Sequence, residues 1–255
     1  MKSSLKRLIY QRIARVLAAR GWQLTPLAGS VALADLSDAD RAIIARVEPF
    51  TLTGTDRRAS LLQAVDHVVR NGVAGAVVEC GVWRGGSMMA VALALLERGD
   101  TTRDLYLYDT FEGMTAPTAA DRAHTGEAAA AQLDRTTRGE GVWCEAGLED
   151  VQANLWSTGY PRERIHFVRG PVERTIPATQ PAQIALLRLD TDWYESTRHE
   201  LQHLYPLLVP QGVMIIDDYG HWQGARRAVD EYFAASVPPV YLHRVDYTAR
   251  LLVKG

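Results

Sequence analysis

Two hydrophobic patterns alternate along the chain. Short runs rich in apolar residues, bounded by glycine or polar positions, are typical of buried strands in a parallel sheet; they are AGAVVEC, DLYLYD, RIHFVRG, LLRL and VMII. We interpret LLRL and VMII as fully apolar. Between the runs, apolar residues recur at helical spacing, as from Leu61 to Val69. We therefore expect an α/β fold with a doubly wound, mostly parallel sheet, closed by an antiparallel pair, PVYLHRVD and ARLLVKG.

Helix ends follow from capping residues and from breaks in periodicity. Thr55 is the predicted N-cap of a helix that Asn71-Gly72 ends, and a short helix is expected from Asp38 to Val47. Further helices are expected at MMAVALALLERG, from Leu148 to Ser157, from Glu195 to Tyr205 and at QGARRAVDEYFAA. The stretch from about 111 to 145 lacks clear periodicity, which predicts a lid-like insertion over the crevice.

The first 28 residues form a basic amphipathic pattern. They contain Lys2, Lys6, Arg7, Arg12, Arg15 and Arg20 and no acid, so the remainder carries −8 against −2 for the whole chain. Apolar residues from Leu5 to Leu17 recur at helical spacing, which predicts a helix packed on the domain or on a second subunit of a homo-oligomer. Because the body is acidic, a nucleic-acid or membrane-surface role is disfavoured. We expect residues 1–48 to form this helical extension with a linker, and residues 49–255 the main domain.

Length and composition limit the class of protein. With 255 residues, 47% of them hydrophobic, the chain is long enough for one globular domain with an appendage. Its two cysteines, Cys80 and Cys144, exclude a disulfide framework, lack a zinc spacing and indicate a reducing compartment. The sequence has no apolar stretch near the roughly 20 residues that span a bilayer. Basic residues interrupt any signal-peptide pattern at the start, so we expect a cytoplasmic protein.

Four carboxylates in two couplets carry the main chemical signal. Asp190 and Asp192 follow LLRL, and Asp217 and Asp218 follow VMII. Open α/β sheets bind ligands at the carboxyl ends of their strands, so these acids are expected to converge in one crevice. Clustered carboxylates repel one another unless a cation lies between them. Their oxygen ligands predict a site for a divalent cation.

A glycine-rich turn joins the first strand to its helix. It begins at Glu79 and contains Gly81, Gly85, Gly86 and Ser87. Glycines allow a ligand to approach the helix N-terminus closely, although a purely structural turn is also compatible with this pattern. The spacing differs from the G-x-G-x-x-G of nicotinamide enzymes, and Glu79 would repel a pyrophosphate but suits an ammonium or sulfonium charge. Asp109, which ends the next strand, suits a ribose diol. Together they favour S-adenosylmethionine over NAD.

Four motifs taken together resemble the macrocin O-methyltransferase (TylF-like) family. They are VVECGVWRGGSMMA, LYLYDTFEGM, LLRLDTDWYEST and GVMIIDDYGHW, and the resemblance covers about residues 45 to 255. Members of this family methylate sugar hydroxyls on macrolides and related natural products. The resemblance implies a class I methyltransferase fold, S-adenosylmethionine as methyl donor, bound Mg²⁺, and a hydroxylated, glycosylated small molecule as acceptor.

The resemblance also implies roles for individual residues. The methionine end of the cofactor is expected at Glu79, Gly81 and Gly85, with Gly86 and Ser87 completing the turn. The ribose is expected at Asp109, the adenine against Val172, and Thr51 in a segment that closes over the cofactor. The expected metal ligands are Asp190, Asp217 and Asp218, and the expected general base is Asp192.

A metal and a base suit this chemistry, because an aliphatic hydroxyl is protonated at neutral pH and is then a poor nucleophile. Related catechol methyltransferases have a lysine base where this chain has Trp193, which gives Asp192 more weight. Simpler interpretations stay open: Asp192 as the N-cap of the following helix and Asp218 as a loop residue. His221 is an alternative base or substrate contact. The aromatic residues that could stack on a sugar are Trp193, Tyr194, Tyr219 and Trp222.

Other functions compete with sugar methylation. A metal-dependent methyltransferase acting on a phenol or catechol would need only a weaker base, because phenols are more acidic than sugar hydroxyls. A non-catalytic S-adenosylmethionine-binding subunit is disfavoured, since it would have no need of four clustered carboxylates. An NAD-linked oxidoreductase is the least favoured, because of Glu79.

Overall fold

The structure is a computed structural model that describes residues 33–136, 143–234, 236 and 239–255. The basic helix predicted at the N-terminus lies outside the described residues. Residues 33–37 belong to a separate N-terminal unit and contain a turn, in which the Leu36 N–H donates to the Leu33 carbonyl at 3.1 Å. Residues 38–255 form the unit that carries all the features discussed below.

The strands of this unit are β1 (Ala76–Cys80), β2 (Leu105–Asp109), β3 (Ile165–Arg169), β4 (Ile184–Leu189), β5 (Leu208–Ile216), β6 (His243–Arg244) and β7 (Arg250–Val253). Within the described residues they form one sheet in the order β3-β2-β1-β4-β5-β7-β6. The first five strands run parallel, and β7 is antiparallel to both β5 and β6. This arrangement confirms the predicted doubly wound, mostly parallel sheet with its closing antiparallel pair.

The helices are α1 (Asp38–Val47), α2 (Thr55–Arg70), α3 (Gly86–Glu97), α4 (Ala129–Arg135), α5 (Leu148–Trp156), α6 (Val172–Thr175), α7 (Tyr194–Leu204) and α8 (Gln223–Phe233). For each helix predicted between residues 38 and 235, the observed ends lie within a few residues of the predicted ones. The prediction that Thr55 is an N-cap is wrong, because α2 begins at Thr55 and its N-cap is Gly54, which has no side chain to bond the first turn. Among the described residues, no helix is both long and apolar enough to cross a membrane.

The order of the strands places a crevice between β1 and β4. Strands β2 and β3 extend the sheet on one side of β1, whereas β4 and β5 extend it on the other, so the direction of winding reverses at this point. A reversal of this kind leaves a crevice at the carboxyl ends of the two central strands. Every residue of β1 and β4 is buried, which is why both strands read as nearly continuous apolar runs.

The insertion after β2 is fastened to the start of α7. The buried carboxylate of Asp121 accepts a hydrogen bond from the Tyr194 N–H at 2.8 Å and another from the Thr118 N–H at 2.6 Å. Asp121 therefore satisfies a backbone donor in the first turn of α7, a role that helix N-caps normally perform. A further β-bridge joins Ala123 to Trp222, just before α8.

Candidate active site

The two acid couplets meet where β4 and β5 end. The Asp190 N–H donates to the Cys80 carbonyl at 2.8 Å, and the Asp217 N–H donates to the Leu189 carbonyl at 2.9 Å, so strand pairing continues up to the acids. A cavity of about 250 Å³ opens there. The predicted site residues that line it are Thr51, Gly81, Ser87, Asp109, Asp190, Asp192, Asp217 and Asp218.

Three of the acids form a tight group. Asp190, Asp192 and Asp218 each have a carboxylate oxygen within 4.8 Å of the others. The side chains of Asp218 and Trp222 lie next to the carboxyl group of Asp192 and oppose part of the rise in its pKa that burial causes. One oxygen of Asp218, Oδ2, is buried and has no hydrogen-bond partner in the described part of the chain. The group thus offers oxygen ligands and one unused buried acceptor, a donor set that fits a hard divalent cation such as Mg²⁺.

Burial makes the charged form of these acids costly. It raises the pKa of Asp192 to about 7 and raises the pKa values of Asp190 and Asp218 well above their usual range, and neighbouring carboxylates add to the effect. Both causes act in the same direction, because a low dielectric and like charges each disfavour ionisation. The three carboxylates are therefore stable together only when they share protons or when a cation is present.

Arg188, inside β4, already supplies one positive charge. Its Nη1 donates to Oε1 of Glu79 and to Oδ2 of Asp190, and its Nη2 donates to Oδ1 of Asp217, each at 2.6 Å. The interpretation of LLRL as fully apolar is thus wrong, because the third residue of that run is a buried ion. A signal was present in the sequence: residues i and i+2 of a strand share a face, which places Arg188 beside Asp190.

Asp217 lies between two arginines. Its Oδ1 accepts from Arg188, and its Oδ2 accepts from Nη1 of Arg57 on α2. The Nε of Arg57 forms an ion pair with Asp246 at 3.2 Å, which ties α2 to the turn before β7. Of the three predicted metal ligands, Asp190 and Asp218 therefore lie in the group with Asp192, whereas both oxygens of Asp217 face guanidinium groups.

The turn that carries Asp192 is held from behind. The hydroxyl of Thr191 donates to the buried carboxyl group of Glu200 at 2.9 Å, and the Trp193 N–H donates to the Thr191 carbonyl at 2.8 Å. Asp192 itself has a φ of 68°, a conformation that is uncommon for residues other than glycine. The N-cap of α7 is Trp193, so the interpretation of Asp192 as that cap is wrong.

The glycine turn brings β1 close to the acids. Gly81 has a φ of 82°, and a Cβ at this position would lie 1.9 Å from the Asp190 carbonyl oxygen. Only glycine fits such an approach of two backbones. Gly85 packs against Val151 and Leu155 of α5, and Gly86 packs against the backbone of Phe50, so these two glycines lie behind the cavity wall.

Glu79 is almost completely buried at the end of β1. Burial raises its pKa to about 7, although the contact with Arg188 acts in the opposite direction. Its Oε1 accepts from Arg188, whereas its Oε2 is buried with no hydrogen-bond partner among the described residues. An acceptor is therefore available for a donor that the described residues do not supply, which fits the ammonium group of a bound cofactor.

Asp109 and Val172 lie together on the other side of Gly81. The Oδ2 of Asp109 accepts from the Val82 N–H at 2.6 Å, and its Oδ1 accepts from the Phe111 N–H at 2.7 Å. A second cavity of about 60 Å³ is lined by Asp109 and by the buried Val172 at the start of α6, and both cavities include Gly81. The two pockets thus form neighbouring compartments along the carboxyl ends of β1 and β2.

The aromatic residues that reach the cavity are not the four considered from the sequence. Trp193 and Trp222 are buried and pack edge to face with centroids 5.0 Å apart, whereas Tyr194 and Tyr219 lie under arginines on the surface. The ring-bearing side chains that line the cavity are instead those of Phe50, Trp83, His221 and Tyr247. Tyr247 was missed because only the turn between β6 and β7 brings it to this edge of the sheet.

Comparisons with known proteins show similarity to O-methyltransferases. One similar protein is the 8-demethyl-8-(2,3-dimethoxy-alpha-L-rhamnosyl)-tetracenomycin-C 4'-O-methyltransferase of Streptomyces olivaceus, which is 37% identical over 76% of this chain and 73% of its own. The mycinamicin III 3''-O-methyltransferase of Micromonospora griseorubida is 34% identical over 71% and 69%. The solved structure of the O-methyltransferase NovP superposes with a TM-score of 0.69 at 29% identity, covering 80% of this chain and 82% of that one.

The sequence profile named macrocin-O-methyltransferase (TylF) matches residues 37–254, which is nearly the whole of the unit described above. The two relatives above 30% identity and the solved structure are O-methyltransferases as well, so all the comparisons indicate the same activity. The chain belongs to the macrocin O-methyltransferase (TylF) family, and it is an O-methyltransferase.

Proposed function

We propose that this protein transfers a methyl group from S-adenosylmethionine to a hydroxyl of a sugar carried by a natural product, and that the reaction depends on Mg²⁺. The names of the relatives support the acceptor class, because one of them refers to a rhamnosyl-bearing tetracenomycin. The observation that carries the proposal is the joint cavity, in which the glycine turn and Asp109 lie beside three clustered acids.

The cofactor would be held by residues from the ends of β1 and β2. Gly81 lets the turn approach the backbone of Asp190 and lines the cavity together with Ser87 and Thr51, and Asp109 and Val172 line the adjoining one. Glu79 has a buried oxygen available for the ammonium group, and its negative charge favours a sulfonium compound. Gly85 and Gly86 shape the turn from behind.

The metal would be held by Asp190, Asp217 and Asp218, of which Asp190 and Asp218 already lie together. A bound divalent cation lowers the pKa of a hydroxyl that it contacts. Arg188 keeps Asp190 and Asp217 in fixed positions at the ends of their strands, because one guanidinium group bonds both.

The base would be Asp192. Its turn places it within reach of the other acids, and Thr191 and Glu200 fix that turn. A base at this point accepts the proton of the acceptor hydroxyl as the oxygen attacks the methyl group, and such proton transfer typically contributes about 10²- to 10⁴-fold. Orientation of the two substrates in the same cavity supplies further acceleration.

A mass-spectrometric assay tests the proposal. The purified protein is incubated with S-adenosylmethionine, Mg²⁺ and either rhamnosides or simple phenols and catechols. We expect a gain of one methyl group on the glycosides, and its loss in the Asp192→Ala protein. Methylation confined to phenols would move the function to the catechol type, and activity that survives both EDTA and Asp192→Ala would contradict the metal and the base.

A further inference from the structure

Three ring-bearing side chains from three separate loops lie together, and two of them, His221 and Tyr247, line the cavity. His221 follows β5, Tyr247 lies in the turn before β7, and His124 lies in the insertion after β2. The Nδ1 of His221 and the hydroxyl of Tyr247 are 3.1 Å apart and hydrogen-bonded. The ring centroid of His124 lies 5.2 Å from that of His221 and 6.1 Å from that of Tyr247. We call these three residues the aromatic rim.

The aromatic rim is supported from below by buried rings. His221 packs edge to face on Trp222 with centroids 4.9 Å apart, and Trp222 packs in the same way on Trp193. The indole N–H of Trp193 donates to the Thr115 carbonyl at 3.1 Å, which fixes its orientation. Because these buried rings hold the surface in place, the surface is preorganised, and binding a ligand does not require the side chains to become ordered.

The backbone also fixes the loops relative to each other. The Gly220 N–H donates to the Thr248 carbonyl at 2.8 Å, and a Cβ on Gly220 would lie 1.8 Å from the Tyr247 carbonyl oxygen. The His221 N–H donates to the Asp218 carbonyl at 3.0 Å. The aromatic rim is therefore joined rigidly to the turn that carries one of the clustered acids.

The chemistry of the aromatic rim matches a sugar ring. Tyr247 is 54% exposed and His124 is exposed, so both rings are accessible to solvent, an arrangement that ordinary core packing does not require. A pyranose ring has a face of C–H groups and an edge of hydroxyls. Ring faces can contact the former, while the imidazole nitrogens and the phenol hydroxyl can hydrogen-bond the latter. Binding sites commonly combine aromatic walls with a few polar groups in this way.

We propose that the aromatic rim binds the pyranose ring of the acceptor and thereby determines which glycoside presents a hydroxyl to Asp192. The inference rests on the proposed function, since it assigns a sugar-binding surface to the same cavity. It concerns His124, His221 and Tyr247, which contact the acceptor and do not take part in proton transfer.

The test measures binding of methyl α-L-rhamnopyranoside to the protein saturated with S-adenosylhomocysteine and Mg²⁺, by saturation-transfer NMR and titration. We expect saturation of the sugar ring protons by the unmodified protein and about fivefold weaker binding for Tyr247→Ala and for His221→Ala, the size of a lost aromatic contact. Tyr247→Phe should retain most of the affinity. The matched control is Tyr241→Ala, which removes a tyrosine that is 78% exposed and lies outside the cavity, and it should bind as the unmodified protein does.

Steady-state kinetics separate this inference from the proposed function. With the rhamnoside as acceptor, Tyr247→Ala should raise KM about fivefold, in line with the loss of binding. It should leave kcat and the affinity for S-adenosylhomocysteine nearly unchanged. Methyl transfer with the same KM in all variants would overturn the role of the aromatic rim and leave the proposed function intact. Failure of the unmodified protein to bind the rhamnoside would also overturn the inference, whereas binding without any methyl transfer would count against the proposed function alone.

Discussion

Arg188 and Glu79 face each other across the two central strands of the sheet. They are register partners in the β1–β4 pair, and Nη1 of Arg188 donates to Oε1 of Glu79 at 2.6 Å, with side chains that are 5% and 1% exposed. The same guanidinium bonds Asp190 and Asp217. The buried guanidinium group of Arg188 thus connects the acid at the glycine turn with acids at the carboxyl ends of β4 and β5.

Replacement of Arg188 by an uncharged residue should destabilise the fold strongly. Arg188→Met removes the cation that Glu79, Asp190 and Asp217 share, although Asp217 keeps Arg57 as a second partner. Breaking a buried pair typically costs about 3–5 kcal/mol. For a domain of this size we expect a fall in Tm of roughly 2–4 °C for each kcal/mol. Thermal unfolding followed by circular dichroism measures the change.

The control for Arg188→Met is Arg84→Met. Arg84 forms a bidentate pair with Asp150, but both side chains are more than a third exposed. Solvent screening reduces the value of such a pair to below about 1 kcal/mol. Equal stability of the two variants would contradict the account of Arg188.

This relationship also shows what could be predicted from the sequence and what could not. The ends of β2, β4 and β5 followed from short apolar runs that stop at acids, because strand periodicity is a local property. The partnership of Glu79 with Arg188 depends on the register of two strands 109 residues apart, which local pattern does not contain. The arginine was therefore assigned to an apolar run.

The same limit applies to the candidate site. The acids, the glycine turn and Asp109 were identified because each follows a strand directly. Asp121, Arg57 and Tyr247 reach the region of the site from an insertion, a helix and a hairpin turn, so only the tertiary fold brings them there. The roles of Asp190, Asp192, Asp217 and Asp218 stay predictions.

Gly81→Ala should destabilise the protein by more than the cost of placing alanine at a positive φ. A Cβ at this position would lie 1.9 Å from the Asp190 carbonyl oxygen, a clash with backbone that cannot move freely. Gly99→Ala is the matched control, because its φ of 74° is similar while no atom lies within 4 Å. The conformational cost of φ > 0 is about 1–2 kcal/mol. We expect Gly99→Ala to lose that amount in urea denaturation and Gly81→Ala to lose clearly more; equal losses would contradict a close approach of β1 and β4.

Glu79→Gln should weaken cofactor binding. The substitution removes the negative charge of a side chain whose Oε2 is buried without a partner among the described residues and is proposed to accept from the cofactor. A hydrogen bond to a charged group is worth about 1.5–3 kcal/mol. We expect at least about tenfold weaker binding of S-adenosylhomocysteine by calorimetry. Glu112→Gln, which changes an exposed acid paired with Arg169, should leave the affinity unchanged. An unchanged affinity in both variants would remove Glu79 from the cofactor site.

Metal removal should abolish methyl transfer to an aliphatic hydroxyl. A Lewis-acid cation contributes several kcal/mol, so EDTA is expected to lower the rate at least about a hundredfold. Addition of excess Mg²⁺ should restore the rate, as measured by mass spectrometry of the methylated product. A full rate in protein freed of metal by dialysis against EDTA, with no response to added Mg²⁺, would show that the acids do not act through a cation.

The division of labour between Asp192 and Asp218 is the central claim, and Mg²⁺ affinity tests it most directly. Calorimetric titration of Mg²⁺ would compare Asp192→Asn, Asp218→Asn and the unmodified protein, each saturated with S-adenosylhomocysteine. If Asp218 is a ligand and Asp192 is the base, Asp218→Asn should bind Mg²⁺ at least about tenfold more weakly. Asp192→Asn should bind it normally and yet lose about 10²- to 10⁴-fold in kcat. Equal loss of Mg²⁺ affinity in both variants would show that Asp192 is a metal ligand and would contradict the account.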